Sequence, residues 1–245
     1  MFKKTWYLYL FVYVVLLGLL YLSFQRIDYQ WNWSVIWDYR EKLSQGWLMT
    51  LKISAVALIL SVVWGWVLML MQRGPALLKS FSLTWVHLMR GTPLLVQILL
   101  FFYVIANAAG LDNRFWLSVL ILSNFSAAYI SEIFRSALES IPKSQWDAAR
   151  SIGLEPWQTY KEVIGPQLIK IALPALGGQF ASIVKDSSLL SIIAVSEFTL
   201  NAQEVNSLTY STLEVYLPLA FGYLLITAPI TWFAHRMERR LHYEF

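Results

Sequence analysis

Six long apolar runs, separated by short polar breaks, are the feature of this sequence that most constrains its fold. A helix needs about 20 apolar residues to cross a hydrocarbon layer about 30 Å thick. The runs cover Trp6–Phe24, Trp47–Met71, Pro93–Ala109, Phe115–Phe134, Ile171–Ser196 and Val215–Ala234. Lys185 and Asp186 interrupt the fifth run. The sequence therefore predicts an all-α polytopic membrane protein with six transmembrane helices.

The composition supports a membrane protein and excludes several kinds of chemistry. Only 14% of the 245 residues are charged and 58% are hydrophobic, whereas soluble domains carry about 25% charged residues. Cysteine is absent, which rules out disulfides, thiolate nucleophiles, zinc–cysteine sites and iron–sulfur clusters. The three histidines lack metal-ligand spacing, so no metal site is predicted, and no G-x-S-x-G elbow suggests a hydrolase.

Basic residues are distributed unevenly among the predicted loops. With a cytoplasmic N-terminus, those inside are Lys3, Lys4, Arg73, Lys79, Arg90, Arg135, Lys143, Arg150, Lys161, Lys170, Arg236, Arg239 and Arg240. Those outside are only Arg26, Arg40, Lys42 and Arg114. Because basic residues favour the cytoplasmic side, both termini are predicted to be cytoplasmic. The first run is too long for a signal peptide and no small-residue cleavage site follows it, so it is predicted to be a retained helix.

The predicted loops outside the membrane differ in character. Residues 1–46 are predicted to form an N-terminal transmembrane helix and an outer loop whose Trp and Tyr rings favour the headgroup layer. Residues 47–240 are predicted to form the main transmembrane domain. Another outer loop, from Glu197 to Glu214, carries three glutamates and no basic residue. It is either a docking surface for a binding protein or an ordinary loop depleted of basic residues.

The segment Ile141–Pro166 is polar and helix-forming, unlike the rest of the chain. Lys143 to Ile152 can form about three turns, with Gly153 placed as a C-cap. Pro156 suits the first turn of a second short helix, and Gly165–Pro166 is predicted to break the chain before the next span. Small side chains on one face and the apolar residues Trp146, Ile152 and Trp157 fit helix-in-groove docking. A solvated helix resting on its own bundle fits the residues equally well.

Three motifs in this sequence resemble those of permeases of ATP-binding cassette (ABC) importers, in the polar amino acid (histidine/glutamine/arginine/opine) group. Asp147-Ala148-Ala149, Gly153 and Ile164-Gly165-Pro166 resemble the EAA motif, with Asp in place of Glu and Gly165 in place of Leu. The stretches Arg90–Gln97 and Lys185–Leu189 resemble two further signatures of that group. The resemblance covers about Trp47 to Arg240.

This resemblance implies a type I ABC importer transmembrane domain in the bacterial cytoplasmic membrane. The partners it implies are two ABC subunits, a second permease, an extracytoplasmic substrate-binding protein and membrane lipid, but no nucleic acid. The residues it assigns to a coupling helix, at about 143–153, are Trp146, Asp147, Ala148, Ala149, Arg150 and Gly153. The chain has no G-x-x-x-x-G-K-[ST] loop, so it is predicted to be non-catalytic, with ATP and Mg²⁺ bound by a separate chain.

Lys185 and Asp186 form the one candidate binding site within the predicted spans. Charged side chains within a transmembrane helix usually face a water-filled pathway. Neighbouring residues in a helix point about 100° apart, so the two side chains can meet different partners. Lys185 could meet the carboxylate of an amino acid and Asp186 its ammonium, with Ser187 and Ser188 adding hydrogen bonds. The resemblance also associates this Lys–Asp pair with the substrate pocket. Alternatively, the pair marks a helix break that only shapes the fold.

Gln97 lies one turn into the third predicted span. It could line the same cavity or form an interhelical hydrogen bond. Two other functions remain open at this point. An ion-gradient-driven secondary transporter or channel would use the Lys–Asp pair as an ion route, although no inverted repeat is evident. A non-transporting scaffold would use the polar segment only to recruit a soluble partner.

Overall fold

The computed structural model describes residues 6–25 and 29–241, and every regular element within these ranges is helical. The helices are α1 (Trp6–Gln25), α2 (Ser34–Asp38), α3 (Arg40–Met71), α4 (Ala76–Gly91), α5 (Leu94–Ala109), α6 (Arg114–Glu139), α7 (Lys143–Ser151), α8 (Pro156–Ile193), α9 (Phe198–Thr209) and α10 (Thr212–Leu241). The predicted all-α fold class is therefore confirmed.

The long apolar helices agree with the predicted spans. Four of them, α3, α6, α8 and α10, are long and apolar enough to cross a membrane. Helices α4 and α5 meet at a bend of 109° and together pass the same test as one broken span. These helices carry five of the six predicted runs. The remaining run lies in α1, of which only Leu10–Leu19 is identified, as a shorter apolar helix, so the sixth span stays a prediction.

The segment that ends at Ser34 forms a compact unit separate from the one that begins at Val35. In the first unit, the rings of Trp31 and Trp33 stack with centroids 5.5 Å apart, and Tyr29 meets Trp31 edge-on at 5.1 Å. This unit is shorter than the predicted segment 1–46. Val35 and Leu43 are buried in a cluster with residues of α9 and α10, which assigns them to the second unit.

Close packing of α3 against α6 forms the centre of the second unit. Gly65 of α3 lies against Ile130 of α6, and an added Cβ at Gly65 would come within 2.8 Å of that side chain. Small residues let membrane helices approach this closely, which increases van der Waals contact between the backbones. On the other side of the bundle, Gly177 of α8 packs in the same way against Ala234 of α10.

Helix α8 is continuous where the sequence predicted a break. The predicted short helix after Pro156 is in fact the first part of a 38-residue helix that runs through Gly165 and Pro166. A π-helical turn at Thr159–Ile164 precedes the proline. This wider turn changes the register of the backbone before Pro166, which lacks an N–H to donate. An added Cβ at Gly165 would lie 2.7 Å from the carbonyl oxygen of Tyr160, so the turn also requires a small residue there.

The acidic residues predicted in an outer loop are mostly internal. Glu197 and Glu214 are fully buried, and Glu204 forms an ion pair of 2.6 Å with Lys42. Glu197 caps α9 by accepting hydrogen bonds from the amides of Thr199 and Leu200, at 2.9 and 2.8 Å. Its burial raises the pKa of the carboxyl group, although these hydrogen bonds act in the opposite direction. Glu197 and Glu204 therefore link helices and Glu214 is buried, so the three do not form one exposed acidic surface.

Candidate functional site

The polar segment of the sequence forms the short helix α7 and, from Pro156 on, the first turns of α8. Pro142 occupies the N-cap position of α7 and Arg150 lies in its last turn. Gly153 then adopts a φ of +78°, a left-handed conformation that glycine reaches without steric cost. The amide of Gly153 donates to the carbonyl of Arg150 at 2.9 Å, and the amide of Leu154 donates to that of Ala149 at 3.1 Å. The predicted glycine C-cap is thus present.

The two alanines of α7 lie on different faces. Ala148 is exposed, together with Asp147 and Arg150. Ala149 is only 3% exposed and is packed inward. The sequence placed both alanines on one docking face, and this is wrong for Ala149. Adjacent residues in a helix point about 100° apart, so Ala149 can face the bundle while Ala148 faces outward.

Helix α7 rests on the π-helical turn of α8. The ring of Trp146 meets that of Tyr160 edge-on, with centroids 5.1 Å apart. The side-chain amide of Gln167 donates to that of Gln145 at 3.4 Å. Trp146 also packs against the buried cluster at this end of the bundle. These contacts join α7 to the base of α8, so a movement of one helix would be transmitted to the other.

The exposed apolar surface beside α7 comes from two of the three predicted residues. Ile152 is 76% exposed and Trp157 is 63% exposed. Trp146 is instead partly buried against Tyr160. The exposed side chains of this region that a soluble partner could contact therefore include Asp147, Ala148, Arg150, Ile152 and Trp157.

Lys185 and Asp186 end the α-helical part of α8, where the helix tightens into a 3-10 segment, Ser187–Ile193. The pair therefore lies about 14 Å from the end of α8, since the seven residues of the 3-10 segment rise about 2.0 Å each. Lys185 is exposed and Asp186 is half-buried. Among the described residues, the Asp186 carboxylate has no hydrogen bond or ion pair.

The hydroxyl groups of the two serines that follow donate hydrogen bonds to backbone carbonyls. Ser187 is fully buried and its hydroxyl donates to the carbonyl of Val184 at 2.8 Å. Ser188 donates to the carbonyl of Lys185 at 2.6 Å. Because it is fully buried, Ser187 cannot contact a ligand in this conformation, which contradicts its predicted role. Its hydroxyl instead supports the change from α-helix to 3-10 helix.

Gln97 lies in the bend between α4 and α5 rather than in a cavity. It is 5% exposed, and its side-chain amide donates to the carbonyl of Met89 at 2.8 Å and to the hydroxyl of Thr92 at 2.8 Å. Met89 lies in the last turn of α4, and Thr92 directly follows that helix. Gln97 therefore supplies a donor to the backbone carbonyl of Met89 at the 109° bend, where Pro93 has no N–H to offer. The prediction that it contacts substrate is not supported by this geometry.

A cluster of charged side chains on α4 and α6 was not singled out from the sequence. Arg135 contacts Glu132 at 3.0 Å and Glu139 at 2.7 Å, and Arg90 contacts Glu132 at 3.2 Å. Arg90 also lies over the ring of Tyr129, 5.4 Å from its centroid. The cluster lines a cleft of about 550 Å³ between α6 and α8. The spacing of Glu132, Arg135 and Glu139, three and four residues apart, is the signal that indicates such pairs on one helix face.

A protein-family model described as "Binding-protein-dependent transport system inner membrane component" matches residues 57–243. The match begins within α3 and includes the later spans, α7 and the Lys185–Asp186 pair. The chain belongs to this family. The family predicted from the three sequence motifs is therefore confirmed.

Members of this family with known names align over most of the chain. The glutamine transport system permease protein GlnP of Escherichia coli (strain K12) is 34% identical over 216 residues, which is 86% of this chain and 98% of GlnP. The L-cystine transport system permease protein TcyB of Bacillus subtilis (strain 168) is 36% identical over 189 residues, 75% of this chain and 81% of TcyB.

A solved structure of a family member supports the same architecture. A chain from the crystal structure of "an amino acid ABC transporter with histidines" superposes with a TM-score of 0.78 at 31% identity. The superposition covers 86% of this chain and all of the other. The fold of this permease is thus that of a type I ABC importer transmembrane domain.

Proposed function

We propose that this permease moves a polar amino acid across the cytoplasmic membrane of a bacterium, driven by ATP hydrolysis on separate ABC subunits. The observation that carries the proposal is the contact of α7 with α8. The exposed face of α7 is suited to dock in an ATPase subunit, and Trp146 joins α7 to the base of the helix that bears Lys185 and Asp186. A movement imposed on α7 would therefore reach the candidate substrate site through one continuous helix.

The relatives support the substrate class. Their names specify glutamine and L-cystine, two amino acids that share an α-carboxylate and an α-ammonium group but differ in side chain. Lys185 and Asp186 offer one charge of each sign at adjacent positions, which suits the shared part of these substrates. Other contacts, among them those of a substrate-binding protein outside the membrane, would distinguish one amino acid from another by its side chain.

The complete importer in this proposal contains more than this chain. Two ABC subunits bind ATP and Mg²⁺, because the chain itself has no phosphate-binding loop. A second permease, identical or different, completes the pathway. An extracytoplasmic binding protein delivers the substrate.

Uptake by the reconstituted importer tests this function. In proteoliposomes that contain the permease with its ATPase subunits and binding protein, we expect uptake of labelled glutamine or L-cystine only when ATP is enclosed. Uptake should persist when an uncoupler removes the proton gradient. Uptake that needs no ATP and stops with the uncoupler would identify a secondary transporter instead.

The proposed orientation can be tested by cysteine labelling in this cysteine-free chain. Asn32 and Ser144 are both exposed. Because basic residues favour the cytoplasmic side, Asn32→Cys should react with an impermeant maleimide in intact cells, and Ser144→Cys only after lysis. The unmodified chain is the control for background labelling. The opposite pattern would place α7 outside the cell and exclude its docking to an ATPase.

A further inference from the structure

A cavity of about 520 Å³ lies between the end of α3, the end of α6 and the first turns of α8. Its walls are apolar and include Trp66 and Leu70 of α3 and Leu168 of α8. Leu70 is 49% exposed and Trp66 is 38% exposed, so the cavity is open along the surface of the bundle. A volume of this size and lining accommodates part of a hydrocarbon chain.

The same cavity is bordered by two basic side chains, Arg73 and Lys161. Arg73 lies just beyond the end of α3 and is exposed, and no ion pair in the described part of the chain includes it. Lys161 contacts Glu162 at 3.3 Å and lies over the ring of Trp157, 5.9 Å from its centroid. Because Glu162 neutralises the charge of Lys161 and Arg73 has no such partner in the described residues, the border carries one net positive charge. The cavity therefore combines an apolar interior with a cationic border.

We propose that this cavity binds an anionic glycerophospholipid of the cytoplasmic leaflet. Its phosphate would contact Arg73 and Lys161, and one acyl chain would lie against Trp66, Leu70 and Leu168. Basic pockets between transmembrane helices at the cytoplasmic surface have the charge and depth that such lipids need. Trp157 and Tyr160 also line the cavity, and aromatic rings of this kind favour the layer between headgroups and hydrocarbon.

The lipid site adjoins the helix that is proposed to dock with the ATPase. Tyr160 lines the cavity and also contacts Trp146 of α7. A bound lipid would fill space behind the π-helical turn that supports α7. The inference goes beyond the proposed function, since lipid binding can be measured without transport.

Native mass spectrometry of the full-length chain in detergent tests the site, with dioleoyl phosphatidylglycerol as the probe and dioleoyl phosphatidylcholine as the neutral comparison. Removing both charges, in Arg73→Gln with Lys161→Gln, should weaken phosphatidylglycerol binding about 30-fold, roughly fivefold for each basic residue. The matched control is Lys79→Gln with Lys170→Gln. It removes the same charge from exposed residues outside the cavity and should leave binding within about twofold.

A second variant tests the acyl-chain part of the site without changing charge. Leu70→Trp should fill the cavity and weaken phosphatidylglycerol binding, whereas glycerol phosphate, which has no acyl chain, should not compete with the lipid. Leu70 is on the surface, so this variant is expected to fold. Equal loss in the two double variants would overturn the proposal, as would equal binding of the two lipids or an unchanged affinity in Leu70→Trp.

Discussion

Replacing Gly153 with proline should reduce the substrate-stimulated ATPase activity of the assembled importer to its unstimulated rate, while the chain still inserts in the membrane. Gly153 has a φ of +78°, and proline is restricted to about −65°. Proline also removes the amide that donates to Arg150 at 2.9 Å. The turn after α7 would open, and α7 would no longer be held at a fixed angle to α8. ATP hydrolysis by the co-purified complex, with and without liganded binding protein, measures this effect.

Two alanine variants separate docking from folding in the same experiment. Ala148 is exposed, so Ala148→Trp should block close approach of another surface and abolish stimulation with little effect on thermal stability. Ala149 is buried, so Ala149→Trp should lower thermal stability, since overpacking a core costs about 1–3 kcal/mol. Gly153→Ala, which costs roughly 1–2 kcal/mol for the left-handed conformation, should give an intermediate activity. Normal stimulation in both Gly153→Pro and Ala148→Trp would remove the docking role of α7.

The long apolar helices could be predicted from the sequence because length and apolarity depend only on the residues within each run. The bend between α4 and α5 could not. Thr92 and Pro93 signal the start of a helix, but they do not indicate the 109° angle between the two helices or that Gln97 reaches back to the carbonyl of Met89. The same holds at Gly165 and Pro166, where a π-helical turn keeps α8 continuous across a pair that usually ends a helix.

The residues of the candidate site were located by motif, but their environment was not predictable. Sequence spacing shows that Asp186 and Ser187 are neighbours, yet only packing decides that Asp186 is accessible and Ser187 fully buried. Likewise, Ala148 and Ala149 are identical side chains whose exposure differs because of where α7 rests. The contact between Arg90 and Glu132 joins residues 42 positions apart, and no local pattern indicates which distant helices will meet.

The substrate site gives the second large expected effect. Asp186→Asn keeps the size of the side chain and removes its charge, so an ammonium group would lose a charge-assisted hydrogen bond. Such a bond is worth roughly 1.5–3 kcal/mol, which corresponds to a loss of uptake of about one to two orders of magnitude.

Asp112→Asn is the matched control, since Asp112 is exposed in the loop between α5 and α6 and the loss of its charge should leave uptake unchanged. The measurement is ATP-driven uptake of labelled amino acid by the reconstituted importer. Co-purification of the ATPase checks that the complex assembles. The substrate affinity of the separate binding protein checks that delivery is intact. Reduced uptake in Asp186→Asn alone, with assembly and delivery intact, assigns the carboxylate to the pathway within this subunit. Uptake equal to that of Asp112→Asn would mean that Asp186 only shapes the junction between the α-helical and 3-10 parts of α8, and that substrate passes elsewhere.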